Sequence, residues 1–242
     1  MKTALAHTCI LIPTFNNAGT VGDVVARCLP LGLPVLVVDD GSTDGTAVVL
    51  AGFPEVRVLR HRQNKGKGSA LKTGLQEARR QGFRFAVTLD ADGQHFLEDI
   101  PLLLSEAAPR TLVVGSRDLS AAGMPGGNTF ANRFSNFWFT VQTAQSLPDT
   151  QTGFRLYPLA DLPWLGLLTS RYEAELTLLV FSAWRGLALK SVPVRVVYPE
   201  GRVSHFRPFL DFFRISVLNT VLCLLAIVYG YPRMLLHRIF VR

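Results

Sequence analysis

The sequence predicts an α/β domain with a mainly parallel sheet flanked by helices, followed by a C-terminal apolar helical segment. Short apolar runs, partly β-branched, alternate with helical patterns from residue 8 to residue 115. Each apolar run leads into a polar or glycine-bearing motif, as is typical where parallel strands end. The chain of 242 residues is 48% hydrophobic, which suits one sizeable core and argues against disorder.

The alternation of elements predicts parallel strands joined by right-handed crossovers. The longest helical pattern is amphipathic, because Ala70, Leu71 and Leu75 recur at helical spacing. The predicted strands are Thr8–Ile12, Pro34–Val38, Val56–Arg60, Phe85–Leu89 and Thr111–Gly115, and the predicted helices are Thr20–Cys28, Thr46–Leu50, Lys67–Arg80 and one that begins near Phe96.

Two carboxylates, Asp90 and Asp92, stand where the strand Phe85–Leu89 ends. Carboxylates at this spacing can reach one hard cation and leave its other positions to water and phosphate oxygens, as is usual for Mg²⁺ and Mn²⁺. Asp and Gly in this place can also serve only the geometry of a turn. This motif alone leaves both interpretations open.

Two further strand ends carry groups suited to a nucleotide. Asp39 and Asp40 offer carboxylates for a base N–H or a ribose hydroxyl. The segment 64–69 is a glycine-bearing loop with two lysines that leads into a helix N-terminus, a setting that suits phosphate. An ordinary flexible surface loop is the alternative. The spacing is not that of a P-loop, and no GxGxxG follows the first strand, which argues against an ATPase or a dehydrogenase.

Charge and cysteine usage favour a cytosolic protein that meets anions. The net charge is +7, with the excess toward the C-terminus, but no long basic run or basic-aromatic module suggests nucleic acid. Anionic lipid or a phosphorylated substrate explains the charge better. Cys9, Cys28 and Cys223 are odd in number and lack metal spacing, which predicts reduced, core-type thiols. The N-terminal apolar run is expected to be a strand, since no small-residue cleavage site follows it.

Four segments, in this order and spacing, resemble those of the family 2 glycosyltransferases. The resemblance is closest to the dolichyl- or polyprenyl-phosphate sugar synthase branch and covers residues 8 to 206. It implies a GT-A fold, a nucleotide-sugar donor, a divalent cation (Mg²⁺ or Mn²⁺) and inversion at the anomeric carbon. The segments are Ile12-Pro13-Thr14-Phe15-Asn16, residues 37–44 (VVDDGSTD), residues 64–68 (NKGKG) and residues 90–95 (DADGQH).

The resemblance also implies a donor site. Phe15 and Asn17 stand where dolichyl-phosphate mannose synthases have Tyr and Glu, so both UDP and GDP stay open. The metal shell would comprise Asp90, Asp92 and Gln94. The residues that would contact the nucleotide-sugar are Pro13, Phe15, Asn17, Asp39, Asp40, Lys67, Asp90, Ala91, Asp92 and Arg117.

On the acceptor side, residues 149–157 resemble the segment that backs the sugar pocket, and residues 172–176 resemble the helix after it. One acid of that helix lies near the acceptor in the family, and Glu175 fits better than Glu173, although both also suit an ordinary first helical turn. A hydroxyl acceptor needs a base, Asp149 or Glu175, whereas a polyprenyl phosphate is already an anionic nucleophile. The implied catalytic set is Asp92, Arg117, Asp149 and Glu175.

An acceptor-phosphate loop is expected at Arg202, Ser204 and His205, where synthases carry an arginine and a Gly-x-Ser-Lys sequence. His205 replaces the lysine, and it could equally cap the next helix. This loop closes the predicted catalytic domain, residues 1–206. The remaining residues, 207–242, are predicted to form a membrane-associated helical tail.

The tail is nearly uncharged from Ile215 to Tyr231, which is short for a membrane-spanning helix. Arginines flank it on both sides, against the positive-inside tendency for a single span. We therefore expect a hairpin-like or interfacial anchor, bent at residues 230–232, on the cytoplasmic face of the inner membrane. A single short span is the alternative.

These observations predict transfer of a sugar to a polyprenyl phosphate at a membrane. Transfer to another membrane lipid, such as a glycerolipid, and a non-catalytic membrane protein that binds nucleotide-sugars are the alternatives. A nucleotidyltransferase would need a glycine-rich loop after the first strand, which the sequence lacks.

Overall fold

The computed structural model describes residues 5–118, 126–163, 169–171, 173–197 and 208–240. Within these residues one seven-stranded sheet has the order β3-β2-β1-β4-β6-β5-β7. Its strands are β1 (Thr8–Thr14), β2 (Val35–Asp39), β3 (Arg57–Arg60), β4 (Phe85–Thr88), β5 (Thr111–Arg117), β6 (Arg155–Pro158) and β7 (Ala188–Val194).

Helices cover both faces of the sheet and extend beyond it at the C-terminus. The α-helices are α1 (Val21–Cys28), α2 (Thr46–Ala51), α3 (Lys67–Arg80), α4 (Ile100–Ser105), α5 (Gly126–Thr143), α6 (Glu173–Trp184), α7 (Pro208–Leu225) and α8 (Tyr231–Phe240). A 3₁₀ turn over Leu97–Asp99 precedes α4, and a π-helical turn over Ala226–Gly230 joins α7 to α8. The strands and helices predicted up to residue 115 are all present, with bounds within two residues of those predicted, except that the helix expected near Phe96 begins as the 3₁₀ turn and becomes α-helical only at Ile100.

The sheet is mainly parallel, which confirms the predicted fold class. β6 is the exception, since it runs antiparallel to both of its neighbours, β4 and β5. The start of an antiparallel strand lies at the edge where parallel strands end. The loop before β6 therefore meets the loops after β4 and β5.

The two faces of β1 belong to different halves of the core. Cys9 and Leu11 pack with α3 residues, whereas Ile10 and Ile12 pack with α1 residues. This is the alternation expected of a strand buried on both sides. Cys9 and Cys28 are free thiols, as predicted, and burial raises the pKa of each to about 12.

The C-terminal helix packs on the domain along one side. Leu222 and Ala226 are buried in the same cluster as α3 and α6 residues. Gln142 of α5 donates a hydrogen bond from Nε2 to Asn219 Oδ1 at 2.9 Å. Gly230 lies against the ring of Trp184, where a Cβ atom would come within 2.4 Å of it. The boundary predicted at residue 206 lies outside the described residues.

The hairpin-like form of the anchor expected at residues 230–232 is wrong, whereas its interfacial form stays a prediction. The backbone stays helical from Pro208 to Phe240, and the π-helical turn over Ala226–Gly230 stands where the chain reversal was expected. A π turn accommodates one extra residue per turn without leaving the helix. Pro232 lies just after this π-helical turn and does not end the helix.

Candidate active site

The polar motifs predicted from the sequence gather at one edge of the sheet. Asp39 ends β2, Arg117 ends β5, and Asp90 lies two residues beyond β4. Pro13 lies next to last in β1, which pairs with both β2 and β4. This is the edge at which open α/β sheets bind ligands.

The turns after β1 and β2 are tied together by hydrogen bonds. Asn16 has a left-handed φ of 54°, its N–H donates to Ser42 Oγ at 2.9 Å, and its Oδ1 accepts the Thr43 N–H at 2.8 Å. Asn17 donates from its backbone to Thr46 Oγ1 at 2.9 Å. These contacts hold the turn that contains Phe15 beside the turn that follows Asp39 and Asp40.

The two aspartates after β2 have different surroundings. Asp39 is fully buried, and its Oδ1 accepts the Ser42 N–H at 2.8 Å. Its Oδ2 lies 3.1 Å from Arg60 Nε but accepts no aligned hydrogen bond within the described structure. Asp39 Oδ2 is thus the better placed of the Asp39 and Asp40 oxygens to accept from a nucleoside.

Asp40 instead clamps the glycine-bearing loop. Its Oδ1 accepts the Lys65 N–H at 3.0 Å, and its Oδ2 accepts the Gly66 N–H at 2.7 Å. His61 Nδ1 lies 2.6 Å from Oδ1, and the other ring nitrogen lies 3.0 Å from Thr73 Oγ1. Sequence reasoning missed His61, because its partners lie 21 and 12 residues away and no local pattern marks it.

Lys67 joins carboxylates from two elements. Its Nζ lies 2.6 Å from Asp90 Oδ1 and 3.2 Å from Glu175 Oε1. Burial opposes the charged forms of Lys67 and Asp90, but the attraction between their two charges outweighs the effect of burial. It lowers the pKa of Asp90, and together with Glu175 it raises the pKa of Lys67.

Asp92 lies on the turn beyond Asp90. Its Oδ1 accepts the Gln94 N–H at 3.1 Å. Burial and then the charge of Asp90 raise the pKa of Asp92. The carbonyl of Ala91 accepts a hydrogen bond from Thr20 Oγ1 at 2.6 Å, which fixes the turn to the start of α1. Two acidic groups are therefore held in a setting that favours a nearby cation.

Two buried side chains beside these carboxylates have polar atoms with no hydrogen-bond partner in the described part of the chain. They are Gln94 Nε2 and His95 Nδ1. The His95 ring packs on Phe154 with centroids 5.0 Å apart, and its Nε2 lies 3.9 Å from Asp90 Oδ2. Two buried nitrogen atoms beside Asp90 and Asp92 are therefore without a hydrogen-bond partner among the described residues.

The donor set fits a hard divalent cation that keeps water or phosphate ligands. Among the described residues no group of three His, Cys, Asp or Glu side chains forms a complete metal cage. Mg²⁺ and Mn²⁺ sites often use only one or two carboxylates and take the remaining oxygens from water and substrate phosphates. Asp90, already paired with an ammonium, and Asp92, with its raised pKa, supply these two carboxylates.

Arg117, which is partly buried, and Asp149, which is fully buried, form a bidentate pair. Arg117 Nε donates to Asp149 Oδ2 at 2.6 Å, and Nη2 donates to Oδ1 at 3.1 Å. Asp149 Oδ1 also accepts the N–H groups of Gln151 and Thr152. Although burial opposes ionisation, Arg117 lowers the pKa of Asp149. A saturated carboxylate of low pKa is better suited to orient Arg117 than to take a proton.

Arg155 is a buried cation that sequence reasoning did not single out. Its guanidinium donates to the carbonyls of Thr152 at 2.8 Å, Thr150 at 2.8 Å and Glu175 at 2.7 Å. It therefore joins the loop before β6 to the first turn of α6. Gly153 of that loop lies so close to Asp90 that a Cβ atom would come within 2.8 Å of Asp90 Oδ2.

The structure thus brings the predicted donor, metal and catalytic residues to one edge of the sheet. The predicted acceptor-phosphate residues, Arg202, Ser204 and His205, lie outside the described residues, as does Tyr172. Glu175 is described and faces Lys67, with Nζ 3.2 Å from Oε1. The choice of Glu175 over Glu173 stays a prediction that this geometry supports.

Solved structures of similar fold include two glycosyltransferases. Glucosyl-3-phosphoglycerate synthase from Mycobacterium tuberculosis, crystallised with Mn²⁺, UDP-glucose and phosphoglyceric acid, superposes with a TM-score of 0.65 at 18% identity, over 93% of this chain and 81% of its own. Mannosyl-3-phosphoglycerate synthase from Rubrobacter xylanophilus gives 0.63 at 21% identity, over 98% and 76%. These likenesses show that the chain has a GT-A-type fold.

The chain belongs to glycosyltransferase family 2, because the family model described as "Glycosyl transferase family 2" matches residues 9–158. Undecaprenyl-phosphate mannosyltransferase from Micrococcus luteus is 30% identical over 78% of this chain and 83% of its own. UDP-N-acetylglucosamine–dolichyl-phosphate N-acetylglucosaminyltransferase from Methanococcus voltae is 29% identical over 79% and 86%. The predicted membership of the family and resemblance to its polyprenyl-phosphate sugar synthase branch are confirmed.

Proposed function

We propose that this enzyme transfers a sugar from a UDP- or GDP-sugar to a polyprenyl phosphate at a membrane surface, with inversion at the anomeric carbon. The observation that carries the proposal is the cluster of Asp90, Asp92, Lys67 and Glu175 at the carboxyl edge of the sheet. The cluster supports the proposal, because a carboxylate pair suits a divalent cation and a nearby ammonium suits phosphate. The names of the relatives support the polyprenyl-phosphate acceptor.

In the proposed donor site Asp39 accepts from the nucleoside, and Pro13, Phe15 and Asn17 line the turn beside it. Asp90, Asp92 and Gln94 would hold Mg²⁺ or Mn²⁺, which offsets charge on the diphosphate when bound. Arg117, oriented by Asp149, adds a fixed positive charge. Such charges stabilise a departing diphosphate because they are in place before the reaction.

In the proposed transfer an acceptor oxygen attacks the anomeric carbon, and the bond from that carbon to the diphosphate breaks with its electron pair. One displacement of this kind inverts the configuration. An acceptor phosphate needs no base, whereas a hydroxyl must lose a proton. Glu175, 7% exposed and held by Lys67, is the carboxylate that we propose for that task.

Membrane association is proposed through one exposed apolar face of the C-terminal helix. The helical stretch Ile215–Leu236 has 22 residues and a mean hydropathy of 1.8, enough in length and composition to cross a membrane. The exposed apolar side chains of this face are Val221, Leu224, Ile227, Val228, Leu235 and Ile239. The relatives act on lipid-linked phosphates, as their names state, which supports a lipid surface as the partner.

We infer that this helix lies in the plane of the membrane rather than across it. Asn219, Leu222, Ala226 and Gly230 contact the domain at intervals along the same stretch. A helix held along its length against a domain cannot also pass through the bilayer without that domain. The net charge of +7 and the flanking arginines favour the anionic cytoplasmic face.

Nucleotide release tests the proposal. UDP- and GDP-sugars are supplied in turn with Mg²⁺ or Mn²⁺, with and without a polyprenyl phosphate, and Asp92→Ala is the blank. Release that depends on the polyprenyl phosphate is the expected result. Donor binding with release only on a glycerolipid would replace the acceptor, and donor binding without release on any lipid would indicate a non-catalytic binding protein.

A further inference from the structure

The ammonium of Lys67 pairs with a carboxylate oxygen that the proposed metal site would use. Lys67 Nζ lies 2.6 Å from Asp90 Oδ1, within 3.3 Å of both carboxylate oxygens of Glu175, and the Lys67 side chain is only 19% exposed. In this structure the ammonium therefore neutralises a carboxylate that the donor site is proposed to offer to Mg²⁺ or Mn²⁺.

The root of the Lys67 side chain is fixed by close packing. A Cβ atom on Gly66 would lie 2.3 Å from the Ser170 carbonyl oxygen, and one on Gly68 would lie 2.4 Å from the Thr169 carbonyl oxygen. The Ser69 N–H donates to the Ser170 carbonyl at 3.2 Å. With the backbone held, only the four-carbon stem of Lys67 can carry its charge from one partner to another.

The charges around this ammonium are unbalanced without ligands. Asp90, Asp92 and Glu175 are three acids beside two cations, Lys67 and the buried Arg155, while Arg117 and Asp149 neutralise each other. A divalent cation that binds alone must share Asp90 with Lys67, and like charges at such a distance repel. A nucleoside diphosphate offers the ammonium new anionic oxygens.

We propose that Lys67 exchanges partners when the donor binds: its ammonium leaves Asp90 for the diphosphate oxygens, and Asp90 becomes available to the divalent cation. This inference rests on the proposed nucleotide-sugar function and adds a coupling between the two ligands. Because coupling between sites is reciprocal, the nucleotide strengthens metal binding by the same factor as the metal strengthens nucleotide binding.

The test measures binding, not turnover, in the full-length chain and in Lys67→Met. Mn²⁺ affinity is measured from the EPR signal of the free ion without nucleotide, and the affinities for UDP and GDP are measured by calorimetry in EDTA. We expect Lys67→Met to bind Mn²⁺ alone about 5-fold more tightly or better. We expect it to bind the preferred nucleotide about 10-fold more weakly without metal, since a charge-assisted contact is lost.

The opposite signs of these two effects identify the exchange. A lysine that stays on Asp90 would, when removed, tighten Mn²⁺ binding and leave the nucleotide affinity unchanged, which would overturn the proposal. Weaker Mn²⁺ binding in Lys67→Met would overturn it as well. Lys72→Met is the matched control, because it removes the same charge five residues along α3 and is expected to change neither affinity.

A second variant and the wild type complete the design. Lys67→Gln keeps a polar side chain and is expected to show the same two shifts, which guards against a folding defect of the methionine variant. Wild-type protein that binds neither UDP nor GDP would overturn the proposed function and the exchange together. Wild-type binding of Mn²⁺ and nucleotide without the two shifts would overturn the exchange alone.

Discussion

Asp149 illustrates how a single buried side chain organises a charged site. Its two oxygens accept from the Arg117 guanidinium and from the N–H groups of Gln151 and Thr152. Each contact favours the ionised carboxylate, so its pKa falls although burial opposes ionisation. The same contacts fix the position of the Arg117 guanidinium without the aid of a ligand.

Asp149→Asn should therefore destabilise the protein in a pH-dependent way. A lowered pKa means that the carboxylate stabilises the fold fully above its unfolded value of about 3.9, and that this contribution is lost as the pH falls through the folded value. We expect the free energy of unfolding to drop by about 2 kcal/mol near neutral pH. Urea unfolding measures the difference, which should shrink below about pH 4. An equal loss of unfolding free energy at neutral pH and below about pH 4 would show that the charge of Asp149 is not the cause.

Glu175→Gln distinguishes the two kinds of acceptor. The amide cannot take a proton, so transfer to a polyprenol hydroxyl should fall by about 100-fold or more, as for loss of a general base. Transfer to the matching polyprenyl phosphate should fall far less. Transfer rates of wild type and Glu175→Gln with each acceptor measure the difference. Glu173→Gln, two residues earlier on α6, is the control. A large and equal loss with both acceptors would make the role of Glu175 structural.

At the scale of elements, the contact between α3 and α6 depends on missing side chains. Gly68 lies where a Cβ atom would come within 2.4 Å of Ala174 Cβ and of the Thr169 carbonyl oxygen. This approach brings Lys67, at the start of α3, to Glu175 in the first turn of α6. Glycine at this position is thus required by packing, and a loose, flexible loop does not explain it.

Gly68→Ala should separate these helices. The added methyl group would collide with the Thr169 carbonyl oxygen and with Ala174 Cβ, and neither atom is the end of a flexible side chain. We therefore expect a loss of about 1–3 kcal/mol in the free energy of unfolding. We also expect weaker nucleotide binding, since Lys67 moves with α3. Thermal unfolding and calorimetry measure the two effects. Gly19→Ala is the control, because a Cβ atom there meets nothing within 4 Å. Equal stability of the two variants would contradict the packing argument.

The antiparallel strand β6 decides which loop joins the site. It pairs with β4 and β5 and begins at the edge where they end. Arg155, its first residue, ties the preceding loop to the Glu175 carbonyl. A parallel strand in this place would have put the 149–153 loop at the opposite edge, away from Asp90.

At the scale of the whole molecule, the C-terminal helix has one side in the core and one side exposed. Trp184 Nε1 donates to the Gln142 carbonyl at 2.8 Å, and Leu222 and Ala226 pack in the same cluster. Deletion of the helix would therefore expose the core as well as remove the exposed apolar face. Single substitutions on that face separate membrane binding from folding.

Ile227→Glu should release the protein from membranes without unfolding it. Ile227 is 65% exposed, so a charge there remains hydrated in solution but costs about 2–3 kcal/mol or more on burial in the membrane interface. Co-sedimentation with anionic vesicles measures the effect, and UDP or GDP binding reports the fold. Val48→Glu, on α2 and 78% exposed, is the control. Vesicle binding that Ile227→Glu leaves unchanged would contradict the in-plane anchor.

Local patterns allowed much of the first half of the fold to be predicted. The period of the apolar residues located β1 to β5 and α1 to α3, because burial on a sheet or a helix face imposes that period. The elements α5, β6 and β7 were not predicted, and the hairpin at residues 230–232 was wrong. A proline and a glycine signal a break locally, but packing on Trp184 keeps the helix continuous.

The sequence by itself determined the fold class, the family and the carboxylates after β2 and β4, because each depends on residues close together in the chain. Only the tertiary structure decided which partner each charged residue contacts. Asp40 clamps a loop, Asp149 orients Arg117, and Lys67 bridges Asp90 and Glu175, which are 85 residues apart. Partners at such separations are chosen by strand order and helix packing, and no local pattern records that choice.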